Sequence, residues 1–141
     1  MNRFVLLFLL AATPAQADEC DMRATSAATE VGAPISPRTK TGFILEYRKA
    51  ETFRLDCMGG QVSRVSGTRL SSDPVHPFVQ KVAQITSIAL AVDKIAVTKT
   101  LLRCMRQAGD SGRVQKLSDK QLEVECLVLV NDLTFFLERR P

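Results

Sequence analysis

TFRLDCMGGQVSRVS, residues 52–66, alternates apolar with charged or polar side chains on either side of a Gly-Gly pair. In an extended chain successive side chains point to opposite faces. Phe53, Leu55 and Cys57 therefore share one face of a strand, and Arg54 and Asp56 share the other. Gly59 and Gly60 accept the positive φ angles of a tight reversal, so residues 61–66 return as a second strand. GFILEYR, residues 42–48, precedes them as a further strand, with KAE as the turn. The region 42–66 thus reads as a three-stranded antiparallel meander.

LEVEC, residues 122–126, repeats the frame of FRLDC, with Leu122, Val124 and Cys126 on one face and Glu123 and Glu125 on the other. RVQKL, QLEVECLVLV and LTFFLERR form the strands of a second meander, with Asn131 and Asp132 as the turn between the last two. From glycine to cysteine the two blocks, starting at Gly42 and Gly112, measure 15 and 14 residues. Duplication would leave such an echo, but any half-buried hairpin has this look, so coincidence is the commoner cause.

Between the meanders, SGTRLSSDPVHP, residues 66–77, reads as a loop ending in helix-start chemistry. Asp73 can cap the first amides and Pro74 fits the first turn, with Pro77 as an alternative start. Phe78, Val82, Ile85, Ala89 and Val92 recur at helical spacing, and the apolar pattern runs on through Ile95, Val97, Leu101, Cys104 and Met105 to Gly109. One long helix, two helices broken near Asp93, or a strand around Ile95 all fit. The expected fold is α+β: two short antiparallel meanders, about 42–66 and 113–140, flanking a helical region, about 74–108, stapled by disulfides.

The first 17 residues have the order of an export signal: Arg3, an apolar run from Phe4 to Ala12, and the small-x-small pair Ala15 and Ala17. The run is shorter than the roughly 20 residues that span a bilayer, which speaks against a retained anchor. Asp18 and Glu19 separate Cys20 from the cut, which speaks against a lipoprotein. Residues 1–17 are thus expected to be a signal cleaved after Ala17, residues 18–41 a loosely ordered lead-in, and residues 42–141 a single α+β domain. The expected location is the periplasm or the medium. Losing Arg3 lowers the net charge from +4 to +3, and there is no Trp. So small an excess gives nucleic acid little to bind.

In an oxidising compartment Cys20, Cys57, Cys104 and Cys126 read as two disulfides. None has the two-residue spacing of a zinc or redox motif, and His76 is the only histidine, so no metal site is expected. Shorter loops favour Cys20–Cys57 with Cys104–Cys126, but the crossed pairing, Cys20–Cys126 with Cys57–Cys104, would tie the ends of the domain together. No cofactor motif is present: the Gly-Gly pair lacks the wider glycine pattern and the Lys of a phosphate loop.

Ser71, Ser72, Asp73 and His76 form the one compact set of catalytic-type groups, and a small hydrolase could use this loop. No nucleophile-elbow pattern accompanies the serines, so helix capping accounts for them without catalysis. Glu123 and Glu125 share a face but read as a salt-bridged surface and not as an acid-base pair. Arg103, Arg106, Arg113, Lys116, Arg139 and Arg140 could meet an acidic partner or an anionic surface, or complement a helix dipole. The alternation fails from Cys126 to Val130 and again over LTFFL, where both faces are apolar. Such strands need cover on two sides. The outward-facing set Leu127, Leu129 and Phe136 is therefore the expected interaction face, for another protein or a second copy of the chain. Asn131 and Asp132 interrupt the apolar run, which argues against stable membrane insertion. The sequence points to a small exported, disulfide-containing binding or accessory protein of the cell envelope, without enzymatic activity. A secreted inhibitor or effector acting on a foreign protein is the alternative from the same features.

Overall fold

The computed structural model describes residues 17–47, 50–70 and 74–141. The expected signal lies outside the described residues except for Ala17. The elements run α1 (Glu19–Val31), β1 (Gly42–Tyr47), β2 (Glu51–Met58), β3 (Gln61–Leu70), α2 (Val75–Leu90), α3 (Lys94–Ser111), β4 (Gln115–Ser118), β5 (Leu122–Leu129) and β6 (Asp132–Arg139). The strands form one antiparallel sheet in the order β1-β2-β3-β6-β5-β4. The fold is α+β as expected, with the two meanders on either side of α2 and α3 along the chain. The meanders join edge to edge through β3 and β6, and the helices pack on the apolar face of the combined sheet.

The join rests on one row of side chains. Phe53 on β2, Gly67 on β3 and Phe135 on β6 lie in register across three neighbouring strands. Phe78 of α2 packs over this row, with ring centroids 5.7 Å from Phe53 and 6.1 Å from Phe135, both stacked. All three rings are fully buried. Gly67 leaves the space: a Cβ there would lie 2.8 Å from Val82 Cγ2 and 3.3 Å from both Phe53 Cδ1 and Phe78 Cζ.

The lead-in is a correction. Its early residues form α1, whose buried positions Cys20, Ala24, Ala27 and Ala28 make one stripe. Asp18 and Asp21 form a reciprocal capping box, and Gly32, at φ 65°, ends the helix. Arg38 donates to Asp18 at 2.7 Å and to Asp21 at 2.9 Å, folding the chain back over the helix start. Ile35 bridges to Leu45, and Ser36 N–H donates to the Ile44 carbonyl at 2.8 Å, so this segment covers the outer edge of β1.

Two further boundaries differ from expectation, and one that was open is decided. The third strand continues to Leu70, because Gly67, Thr68 and Arg69 pair on both sides with β2 and β6, and Leu70 pairs with Asp132 of β6. The helical region is two helices: Ala91, at φ 51°, caps α2, and Asp93 Oδ2 accepts from Ala96 N–H at 2.7 Å to start α3. The last hairpin turns at Val130–Asn131 and not at Asn131–Asp132, since Leu129 pairs with Asp132. Asp73 lies outside the described residues, and Pro74 takes the N-cap position of α2 without a side-chain bond.

The cysteines pair sequentially, Cys20 with Cys57 and Cys104 with Cys126, at Cα separations of 6.0 and 6.1 Å. The first bridge fastens α1 to β2 and the second fastens α3 to β5. Cys20, Cys104 and Cys126 are fully buried, as alternation implies for Cys126, whereas Cys57 is only half-buried beyond a break in the β2–β3 register.

Two outcomes follow for stability. Gly67→Ala forces the row apart and lowers unfolding free energy by about 1–3 kcal/mol. Phe78→Ala removes the ring that spans it and lowers it by about 3–5 kcal/mol. Both are read as a lower denaturant midpoint at unchanged slope, and a neutral Gly67→Ala would show that the slot is loose. For pH, the Asp21 amide and the Arg38 guanidinium hold the Asp18 carboxyl below its ordinary 3.8. The stability it contributes is complete above that value and is lost as pH falls through the lowered one. Carboxyl NMR titration places Asp18 below 3.8, and Arg38→Ala moves it upward; no movement would remove Arg38 from the account.

Candidate functional site

Strand alternation gives the sheet a second face, opposite the helices, that no described element covers. Register sorts its residues into rows that cross the strands. Nearest the β5–β6 turn are Leu70, Asp132 and Leu129. Next come Glu46, Thr52, Thr68, Thr134 and Leu127. The third row is Ile44, Arg54, Ser66, Phe136, Glu125 and Lys116, and the fourth holds Asp56, Arg64, Glu138, Glu123 and Ser118.

The face therefore divides. The half near the turn is apolar and hydroxyl-bearing: Leu70 is 61% exposed, Leu129 50% and Val130, at the turn itself, 99%. Leu127 is half-buried, and Phe136, at 37%, marks the boundary. The expected set Leu127, Leu129 and Phe136 thus lies on one uncovered surface. Sequence reading missed Leu70, because it placed that residue in a loop, where its alternation with Thr68 and Ser66 carried no meaning.

The other half binds its own charges. Arg54 pairs with Asp56 at 2.7 Å, Lys116 with Glu123 at 2.8 Å, and Arg64 with Glu138. Arg64 also lies over the Phe136 ring, 5.8 Å from its centroid. The hydrogen bond to Glu123, then its charge and those of Glu125 and Glu138, raise the Lys116 pKa above 10.5. In contrast, Glu46 and Asp132, the two carboxylates of the apolar half, have no ion-pair partner among the described residues.

The other candidates lie elsewhere. His76 is exposed in the first turn of α2, and its Nε2 meets the Gln80 amide at 3.0 Å. Ser71, Ser72 and Asp73 lie outside the described residues. Glu123 and Glu125 project from the uncovered face, where Glu123 holds Lys116. No family model matches the chain, and no curated protein or solved structure matches it.

Val130 connects geometry with energy. It sits at φ 47°, a left-handed conformation that is strained for a β-branched side chain and favours glycine in a two-residue hairpin turn. The nearly complete exposure of its side chain leaves no packing to offset the strain. Val130→Gly is expected to raise stability by roughly 1 kcal/mol in denaturant unfolding, the strain relieved less the added backbone entropy. A loss of stability would show that the valine supports the fold.

Proposed function

We propose that the protein is a small exported accessory protein of the cell envelope that acts by binding another protein and not by catalysis. The observation that carries this reading is the divided open face. Its charged half holds the pairs Arg54–Asp56, Arg64–Glu138 and Lys116–Glu123, while Leu70, Leu127, Leu129 and Val130 face outward with nothing from the described chain over them. Exposed apolar patches bordered by polar residues are characteristic of protein contact surfaces. Glu46 and Asp132, which have no ion-pair partner among the described residues, favour a partner with apolar side chains flanked by Lys or Arg, and disfavour a second copy that would bring like charge against them. Two disulfides in a small domain support export to an oxidising compartment.

The test uses the mature protein and a Leu127→Asp, Leu129→Asp double variant. Leu129 is exposed and Leu127 half-buried on the open face, outside the core, so the variant should keep the wild-type unfolding midpoint to within a few degrees. Crosslinking in an envelope extract should yield a defined adduct with wild type and at least tenfold less with the variant. Equal yields would rule out this face, and a dimer sensitive to the same substitutions in sedimentation would make the partner a second copy. Recovery from the medium and not the periplasm would move the reading to a secreted inhibitor or effector using the same surface.

A further inference from the structure

The charged half of the open face is not flat. It holds a cleft of about 440 Å³ whose charged lining is Lys40, Arg54, Arg64 and Arg139 against Asp56 and Glu138. The cleft crosses the sheet from the start of β1 to the end of β6, three inter-strand steps or about 14 Å.

Three features of the backbone build it. Gly42, at φ 147°, lets the chain cross onto β2 at a point where a Cβ would lie 1.8 Å from the Leu55 carbonyl oxygen. The crossing is fastened by Cys57 N–H donating to the Thr41 carbonyl at 2.7 Å and by Arg54 Nη2 donating to Thr41 Oγ1 at 2.9 Å. On the next strand Asp56 pairs with Arg64 and Cys57 with Val62, which leaves Ser63 as the extra residue of a bulge. Its hydroxyl donates to the Asp56 carbonyl at 3.1 Å. Bulges recur beside binding sites because they re-aim side chains. Finally, the Cys20–Cys57 disulfide ties this wall to α1.

The charges do not balance. Asp56 and Glu138 are each taken by one arginine, whereas Lys40 and Arg139 have no ion-pair partner among the described residues. Arg54 and Arg64 bond through Nε and Nη2, and neither Nη1 has a hydrogen-bond partner among the described residues. A concave site with two surplus cations and two spare guanidinium donors attracts anions. Its volume is that of a small-molecule site. A peptide adding as a strand is disfavoured, since the adjacent β1 edge is already occupied by the segment carrying Ile35 and Ser36.

We propose that this cleft binds a small molecule carrying a phosphate or carboxylate group, attracted by Lys40 and Arg139 and held by the Nη1 donors of Arg54 and Arg64. This site lies at the opposite end of the face from the apolar patch and does not depend on the reading of that patch.

The test is an NMR titration of the mature protein with inorganic phosphate and, separately, with citrate, at low ionic strength. Saturable shifts are expected at the amides of Thr41, Ser63 and Arg64, weakened by added salt. Lys40→Ala with Arg139→Ala should raise Kd at least tenfold with an unchanged melting temperature, while Lys94→Ala with Lys99→Ala on α3 should leave it unchanged. Whichever of phosphate and citrate binds more tightly identifies the oxyanion. Shifts that do not saturate, or equal weakening by the α3 variant, would mean an adventitious ion only and overturn the site. Binding of a tetraglutamate peptide but of neither small anion would overturn the small-molecule class. The Leu127→Asp, Leu129→Asp variant should bind phosphate like wild type, so the two readings fail separately.

Discussion

The structure depends on the packing of Phe78 over the Phe53–Gly67–Phe135 row. Those three row positions belong to β2, β3 and β6, so a single ring from α2 touches both meanders at the seam where they meet. Backbone hydrogen bonds between β3 and β6 close the sheet, but they are similar in strength to bonds that either strand could make to water. Burial of large apolar rings at the seam favours the joined sheet over two separate ones. With α2 fixed there, α1 and α3 cover the flanks, and no described element covers the opposite face.

The arrangement on either side of that seam is nearly symmetric. Each half is a helix followed by a three-stranded meander, with β3 and β6 as the inner strands, β1 and β4 as the edges and the cysteine strand in the middle. In each half a disulfide ties the leading helix to the middle strand, α1 to β2 and α3 to β5. The likeness of FRLDC to LEVEC is therefore more than two similar hairpins: the strands occupy equivalent places and their cysteines make equivalent bonds. Helix α2 has no counterpart, and it is the element that holds the halves together.

How much of this was legible in the sequence depended on whether the information was local. Strand alternation and the Gly59–Gly60 reversal could be read directly, because each is settled within a few residues; the cysteine pairing, across separations of 37 and 22 residues, was favoured by loop length without the crossed option being excluded. Helix α1 was hidden because alanines form its buried stripe, and alanine among Ser and Thr gives weak contrast between faces. The extension of β3 was hidden because Ser66, Gly67 and Thr68 have the composition of a loop; β6 makes them a strand from a distance. For the open face, Leu127, Leu129 and Phe136 were legible as breaks in alternation. The cleft was not, since it joins a glycine crossing, a bulge and the far end of the chain.

The two parts of the open face bear on each other through distance. Two residues along a strand span about 6.8 Å, so the row holding Leu129 lies about 20 Å from the row holding Arg64 and Glu138. A protein contact of standard size buries about 800 Å² on each partner. Such a footprint, centred on Leu70, Leu127 and Leu129, reaches the rim of the cleft without filling it. A ligand in the cleft would then adjoin the contact and alter its charge at the edge. By linkage each occupant would change the affinity of the other equally. The Arg64 guanidinium is placed to transmit this, because it holds Glu138, lies over Phe136 and lines the cleft at once.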